Sequence, residues 1–401
     1  MNKNLRVDVS SVPLKTVGII GGGQLGKMLA LKAKEMGLKI IALDKEPNCP
    51  ISSICDEFIA GSLYDKEKLE KLAKLTDVVT YEIEHTDTNS LKYLEELGFK
   101  IFPSPRLLEL INDKLLQKEH LLIYGIPTSK ILGKIDNETL TNIESQNELK
   151  SFIPNFPFVQ KARKGGYDGR GVAVIKQERD LDKFLKIDSY FEELVDIEKE
   201  LAVLLVRDGS GNIVIYPVVE MVFDDRSNIL DMLISPARIS DEISLRAQKI
   251  ALNVIKSFDG FNAVGVFVIE MFLTKNGDIL VNEIAPRVHN SGHHTIESCY
   301  TSQFEQHLRA ITNLPLGSTK QHTPAVMINL LGEPGYTGKP GIIGLEDILR
   351  TEGAHLHWYG KERTAPFRKM GHITILADDI KSAIDKAREL KSRIKIVSVP
   401  E

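Results

Sequence analysis

A parallel α/β sheet followed by two α+β modules is the architecture the sequence predicts. Three observations predict it. Short apolar runs alternate with helical patterns from Thr16 to Pro103; a glycine- and cation-rich loop joins two β-like runs in the middle; antiparallel hairpin signals dominate the rest. At 401 residues the chain is two to three times the usual domain size. The expected divisions are 1–118, 119–195 and 196–401.

In the first module, Val17–Ile20, Lys39–Leu43, Asp77–Tyr81 and Lys100–Phe102 read as buried strands. Between them, 24–36, 65–75 and 89–97 carry apolar residues at helical intervals. Pro103 and Pro105 close the unit, and 107–124 reads as one connecting helix stopped by Gly125. In the middle module, 158–163 and 171–175 are strand-like and 180–186 is a short helical pattern. The third module has strands at 201–207, 213–222 and 265–273 and a helix at 242–258, with turn signals at Asp208–Gly211 and Asn276-Gly277.

Composition bounds the function. With 42% apolar and 26% charged residues, the chain is an ordinary globular protein. A net charge of −4 argues against a nucleic-acid binder that works by neutralising phosphates. The three cysteines, Cys49, Cys55 and Cys299, cannot all be paired with one another, which fits a reducing compartment. Residues 1–13 contain no secretory apolar core, and no apolar run is long enough to span a bilayer. A cytoplasmic protein, bound to neither membrane nor nucleic acid, is expected.

Gly21-Gly22-Gly23-Gln24-Leu25-Gly26 follows a strand and opens a helix, the pattern of a dinucleotide fingerprint, with Asp44 placed as its ribose carboxylate. Any close ligand approach to a helix N-terminus needs the same glycines, and a tight turn without a ligand also fits. A phosphate-loop reading through Gly21, Gly26 and Lys27 fails, because Met28 stands where a hydroxyl is required.

The second loop, Lys161 to Gly171, packs four glycines and four cations into eleven residues. Glycines let the backbone approach a ligand and present its N–H groups, and the cations offer charge to phosphate oxygens. Between two strands such a loop can serve as a lid over a nucleotide. A flexible basic hairpin is the alternative.

Beyond it, if Asn276-Gly277 centres a hairpin, Glu270 lies directly opposite Glu283. Two carboxylates about 4 Å apart repel by roughly 4 kcal/mol at an effective dielectric of 20. Either one is protonated or a cation lies between them, and carboxylates facing phosphate oxygens suit Mg²⁺. Asn282 could add an amide oxygen if the strand bends there; a one-residue bulge would instead throw the glutamates onto opposite faces. The polar run Ala285–Thr295 follows at once. His289 and His293 have i, i+4 spacing, but Gly292 and the lack of a third ligand disfavour zinc. A substrate loop with Arg287 as anion contact fits better. Cations near an aromatic pair recur from His355 to Arg363 and at Arg368-Lys369.

These motifs resemble the ATP-grasp superfamily, and within it the N5-carboxyaminoimidazole ribonucleotide synthetases of purine biosynthesis. The resemblance runs from Thr16 to about His372 and is carried by Gly23–Gly26, Gly165–Gly171, Asn282-Glu283, Ala-Pro-Arg-Val-His-Asn-Ser-Gly-His at 285–293 and His-Leu-His-Trp-Tyr at 355–359. It implies an ATP-grasp fold with a Rossmann-like N-terminal unit and ATP between the second and third modules. Lys114 and Lys161 would contact phosphates. Gly166, Tyr167, Asp168, Gly169, Arg170, Gly171 and Val172 would form the lid. Glu192, Glu193, Leu194 and Val195 would be the adenine hinge, and Glu200 the ribose contact. Glu270 and Glu283 would hold Mg²⁺, with Asn282 beside them. Gln24, Glu82, Tyr167, Arg287, Asn290, Lys361 and Arg368 would surround 5-aminoimidazole ribonucleotide, with Arg170, Arg287 and Glu283 at the chemistry.

The implied reaction consumes ATP and bicarbonate, without biotin. The nearest alternative in the superfamily is the formate-dependent glycinamide ribonucleotide formyltransferase. A homodimer is expected from the resemblance. One departure is Phe223, where the family usually carries a histidine assigned an ATP contact.

Overall fold

The computed structural model describes residues 15–143, 145–166, 171–223 and 229–400. The first unit is a parallel sheet of β1 (Thr16–Ile20), β2 (Lys39–Asp44), β3 (Glu57–Ala60) and β4 (Val78–Tyr81), ordered β3-β2-β1-β4. Every residue of β4 is buried, as a strand covered on both faces requires. The edge strand β3 escaped the sequence reading because only one of its four residues is buried. The strand expected at Lys100–Phe102 is a single bridge, Ile101 to Val79.

Five helices accompany this sheet: α1 (Gln24–Glu35), α2 (Lys66–Leu75), α3 (Thr88–Glu96), α4 (Pro105–Asn112) and α5 (Lys114–Ile123). Asp65, Asp87 and Ser104 cap α2, α3 and α4, with Pro105 at the first helical position of α4. The one helix expected over 107–124 is therefore two. Asp113 breaks it by adopting an extended backbone, and its carboxylate accepts from the N–H groups of Leu115 and Leu116. That break sets Lys114 at the start of a helix aimed into the central cleft.

The second unit is an antiparallel sheet of β5 (Ile131–Ile135), β6 (Phe158–Ala162), β7 (Val172–Ile175) and β8 (Ser189–Glu193), ordered β5-β8-β6-β7. Phe158, Ile175, Phe191, Leu181 and Phe184 make its core on one face. Side chains alternate along a strand, so Lys161 and Glu192 share the opposite face. The short helix expected at 180–186 is a 3₁₀ turn at Glu178–Lys183.

The third unit contains β9 (Ile197–Arg207), β10 (Ile213–Ile215), β11 (Val219–Phe223), β12 (Leu230–Ser235), β13 (Gly265–Thr274), β14 (Ile279–Ala285), β15 (Ala325–Leu331), β16 (Pro340–Ile343), β17 (Ala354–Trp358), β18 (Lys369–Leu376) and β19 (Lys395–Ser398). Nine of these form one antiparallel sheet, β14-β13-β9-β11-β12-β15-β18-β17 with β10 on β9, while β16 and β19 make a separate ribbon. The continuous strand expected over 213–222 is two, broken around Pro217, which has no N–H to give a ladder.

The helix Asp241–Ser257 covers one face of the sheet, where Ala247, Ala251 and Val254 share a core with Val203, Leu205, Phe267 and Ile269. On the other face, Leu25, Met28 and Leu29 of α1 share a core with Leu204, Val206, Val266 and Val268. The first unit is thereby fixed with the start of α1 turned to the same cleft as the β13–β14 hairpin.

Candidate active site

A cavity of about 1580 Å³ lies where the three units meet. Its wall includes Gln24 and Glu82 from the first unit, Lys114 from α5, and Lys161, Gly166, Val172 and Glu192–Val195 from the second. The large sheet adds Glu200, Glu270, Asn282 and Glu283, and the following segments add Arg287, Asn290, Lys361 and Arg368. Gly171 is the exception among the described candidates: it is not part of this wall, and its positive φ of 81° is one that L side chains rarely adopt, with a Cβ there crowding Ala162 and Gly166. Tyr167, Asp168, Gly169 and Arg170 lie outside the described residues.

Glu270 and Glu283 pair directly between β13 and β14. The register shifts beside them, because Met271 pairs with Val281, and Asn282 is the extra residue. Asn282 and Glu283 are consequently both half-buried, between the buried Val281 and Ile284. Burial and the neighbouring Glu283 and Glu200 push the Glu270 carboxyl up to about 8. Burial alone carries Glu200 to about 7, against the pull of Lys161. Desolvated acidic oxygens of this kind fit a hard divalent cation, which neutralises them where a proton otherwise would. No group of three or more His, Cys, Asp or Glu side chains suited to a metal occurs among the described residues. Two carboxylates completed by phosphate oxygens match Mg²⁺, which takes few protein ligands.

Cations face this acidic wall. Lys114 Nζ donates to Glu283 Oε2 at 2.9 Å. Lys161 Nζ donates to Asn282 Oδ1 at 2.7 Å and lies 2.6 Å from Glu192 Oε1. The second oxygen of Glu192 meets Lys118, a buried lysine absent from the sequence-based set. Burial works to raise the Glu192 carboxyl, but Lys161 and Lys118 outweigh it and hold it at about 2. Lys118 sits one helical turn beyond Lys114, so i, i+4 spacing could have found it.

At the other end, Glu82 fills the first glycine loop. Its oxygens accept from Gly23 N at 2.6 Å and Gly26 N at 2.8 Å, while Asp44 Oδ2 accepts from Gly22 N at 2.6 Å. A dinucleotide pyrophosphate would need those same donors, so the chain's own carboxylates take the place that a dinucleotide fingerprint would offer its ligand. Arg287 is held along one edge of its guanidinium by Glu84, with Nη2 donating to Oε2 at 2.9 Å and Nε 2.8 Å from Oε1. Glu84, two residues past Glu82, was not foreseen.

Asn290 exchanges two amide hydrogen bonds with Asn329 of β15, at 3.0 and 2.8 Å. Lys361 Nζ donates to Lys369 O, and Arg368 donates to Arg363 O. Lys27 of α1 ties this loop down by donating to Trp358 O and Tyr359 O, at 3.1 and 3.0 Å. His289 and His293 are not on one helix, since His289 is extended and only Asn290–Gly292 forms a 3₁₀ turn. Phe223 supplies an apolar patch of cavity wall, packed on the central core, where a polar contact was in question.

An antiparallel lid sheet set over a larger acidic sheet, behind a parallel-sheet unit, defines an ATP-grasp ligase, and the comparisons agree. The chain matches the ATP-grasp domain over residues 132–304, the ribonucleotide synthetase preATP-grasp domain over 14–112 and the phosphoribosylaminoimidazole carboxylase C-terminal domain over 325–386. It is 51% identical to the crystal structure of N5-carboxyaminoimidazole ribonucleotide synthetase from Thermotoga maritima, with a TM-score of 0.85, covering 96% of this chain and 100% of that one. The Aspergillus clavatus N5-carboxyaminoimidazole synthase, solved with ADP and 5-aminoimidazole ribonucleotide, is 35% identical with a TM-score of 0.83, covering 94% and 98%. Phosphoribosylaminoimidazole carboxylase of Ogataea methanolica is 41% identical over 91% of this chain, which spans 67% of that protein. The chain belongs to the N5-carboxyaminoimidazole ribonucleotide synthetase family, ATP-dependent carbon–nitrogen ligases of purine biosynthesis.

Proposed function

We propose that the chain converts ATP, bicarbonate and 5-aminoimidazole ribonucleotide to ADP, phosphate and N5-carboxyaminoimidazole ribonucleotide. The observation that carries this reading is the single cavity with an acidic, lysine-faced end at Glu270, Glu283, Lys114 and Lys161 and a second polar end at Gln24, Glu82, Arg287 and Lys361. One end suits a triphosphate, the other a phosphorylated, uncharged heterocycle, and both open into the same space.

Bicarbonate is a weak electrophile. Attack of its oxygen on the γ-phosphorus, with ADP leaving, gives carboxyphosphate. The amine nitrogen of the ribonucleotide then forms the new C–N bond as the carbon–phosphate oxygen bond breaks, and the proton shed by nitrogen passes to the departing phosphate. Lys114 and Lys161 are placed to meet the charge that develops on the transferring phosphoryl group. Glu270 and Glu283, with Asn282 adjacent, would hold Mg²⁺, which would supply charge neutralisation to the nucleotide phosphates.

The Glu192–Val195 hinge and Glu200 take adenosine. Gln24, Asn290, Lys361 and Arg368 orient the ribonucleotide, and Arg287, held by Glu84, presents its guanidinium where carboxyphosphate must sit. By the family resemblance, Tyr167 and Arg170 belong to the segment assigned to keep water from carboxyphosphate. The reading includes a cytoplasmic homodimer, which sedimentation of the purified chain checks.

Phosphate release with each substrate omitted in turn tests the proposal. Turnover should require ATP, bicarbonate and the aminoimidazole ribonucleotide together. ATP turnover with formate and glycinamide ribonucleotide would move the chain to the formyltransferase branch.

A further inference from the structure

Lys118 has no place in the reaction just described, yet it is the most deeply buried lysine of the cleft region. Its side chain is 2% exposed, and that of Glu192, its partner, 3%. Lys118 Nζ bonds Glu192 Oε2 and Ser129, and Ser129 Oγ donates to the same glutamate oxygen at 2.9 Å. The other oxygen, Oε1, is held by Lys161 at 2.6 Å. Each carboxylate oxygen thus has its own lysine. The two lysines differ in one respect: Lys161 lines the cavity, and Lys118 is absent from its wall.

We infer that Lys118 is the standing counter-charge of Glu192, which allows Lys161 to leave that carboxylate and pair with an ATP phosphate. The inference rests on the ATP site proposed above. A buried carboxylate abandoned by its only cation carries a large desolvation cost, so a Glu192 held by Lys161 alone would keep Lys161 from the nucleotide. With Lys118 and Ser129 fixed on Oε2, Glu192 stays paired when Lys161 moves. Two other arrangements support this. Lys118 is buried off the cavity wall, with Nζ 5.8 Å from the Tyr190 ring centroid, so it is not placed to follow Lys161. Lys161 already has a second acceptor outside the triad in Asn282, beside the acidic pair, so it stands between its resting partner and the phosphate end. Lys118 is a positioning residue in this scheme. It touches no substrate and sets ATP affinity through Lys161.

The test is a double-substitution cycle read by equilibrium ATP binding to the full chain, with the KM for the ribonucleotide measured alongside. Lys118→Met should weaken ATP by about tenfold while the ribonucleotide KM changes by less than about threefold, a coupling in the range measured for contacting residues. Adding Glu192→Gln to Lys118→Met removes the charge that traps Lys161, and should return ATP affinity to that of Glu192→Gln alone. Wild-type ATP affinity in Lys118→Met, or a double variant as weak as Lys118→Met, would overturn the inference.

If Lys118→Met alone fails to fold, Glu192→Gln and the double variant decide between themselves. Equal ATP affinity supports the scheme, and a further tenfold loss on removing Lys118 refutes it. A wild-type chain that binds no ATP would refute the proposed function itself, which separates the two failures.

Discussion

Glu270 and Glu283 stand opposite one another across β13 and β14, although the ladder between them and the turn runs one residue out of step. The turn is not the two-residue Asn276-Gly277 loop that the spacing suggested. Thr274 N donates to Asp278 O, enclosing Lys275–Gly277, and Gly277 takes the positive φ of 83° that such a three-residue loop needs. The bulge at Asn282 then restores the register. Two one-residue departures cancel, the glutamates meet, and Asn282 joins Glu283 on the cleft wall.

Glu283→Gln tests the acidic pair. The substitution keeps the shape and one oxygen but removes a charge opposite Glu270 and the partner of Lys114. Turnover should fall by roughly 10²–10³-fold, the scale of losing one preorganised electrostatic group from a reacting centre. Because the Glu283 side chain is 41% exposed, stability should change by less than about 1 kcal/mol. Initial rates and a thermal melt on the same preparation check both halves.

The elements most legible in the sequence were those whose apolar period was uninterrupted, such as β1, β2 and the helix Asp241–Ser257. Exposure hid the edge strand β3, and local chemistry hid other breaks. Asp113 sits inside an apolar helical pattern, and only its capping of Leu115 and Leu116 makes two helices of one. Residues that line the cavity were legible where several polar types crowd one segment, as in 285–293. They were not where a residue acts through a partner far away in sequence. Glu84 meets Arg287 and Asn329 meets Asn290 only because the fold joins segments that no spacing rule relates.

Lys27→Met probes how the two halves of the proposed ribonucleotide end are aligned. Lys27 belongs to the helix that begins with Gln24, and its bonds to Trp358 O and Tyr359 O hold the loop carrying Lys361. Without them the loop should lose its register against α1. The ribonucleotide KM should rise by about tenfold, with the ATP KM unchanged, consistent with the loss of two hydrogen bonds from a charged donor. Lys27→Arg, which keeps the charge and the donors, should recover most of the loss. Steady-state kinetics with each substrate varied in turn checks the split.

Asp113→Ala removes two functions at once. Asp113 caps α5, and its carboxylate grips Arg163, with Nε at 3.1 Å and Nη2 at 2.6 Å, at the base of the lid loop. Loss of the cap costs about 0.5–2 kcal/mol. Release of Arg163 frees the lid loop from the helix that presents Lys114, so the ATP KM should rise as well. Asp113→Asn retains a capping oxygen without the charge, and should keep most of the stability while still weakening ATP. Urea melts and ATP saturation curves on both variants separate cap from clamp.

His307 makes the fold sensitive to acid. The ring is fully buried; its Nδ1 accepts from Val266 N–H at 3.1 Å, so Nε2 carries the proton and donates to Thr80 Oγ1 at 2.8 Å. Neither nitrogen has room for another proton, and burial drives the imidazole down to about 3. In the unfolded chain the same ring takes up a proton below about 6.5. Between those two values the unfolded state binds more protons, so stability is full above pH 6.5 and declines as pH falls toward 3. The slope is about 1.4 kcal/mol per pH unit for one such histidine, or roughly 2 kcal/mol lost between pH 6.5 and 5. His307→Gln, which can accept and donate but cannot titrate, should be less stable than wild type at pH 7.5 yet lose less on going to pH 5. Urea unfolding of both chains at the two pH values measures the difference, and an identical pH dependence would show that His307 titrates no differently folded and unfolded.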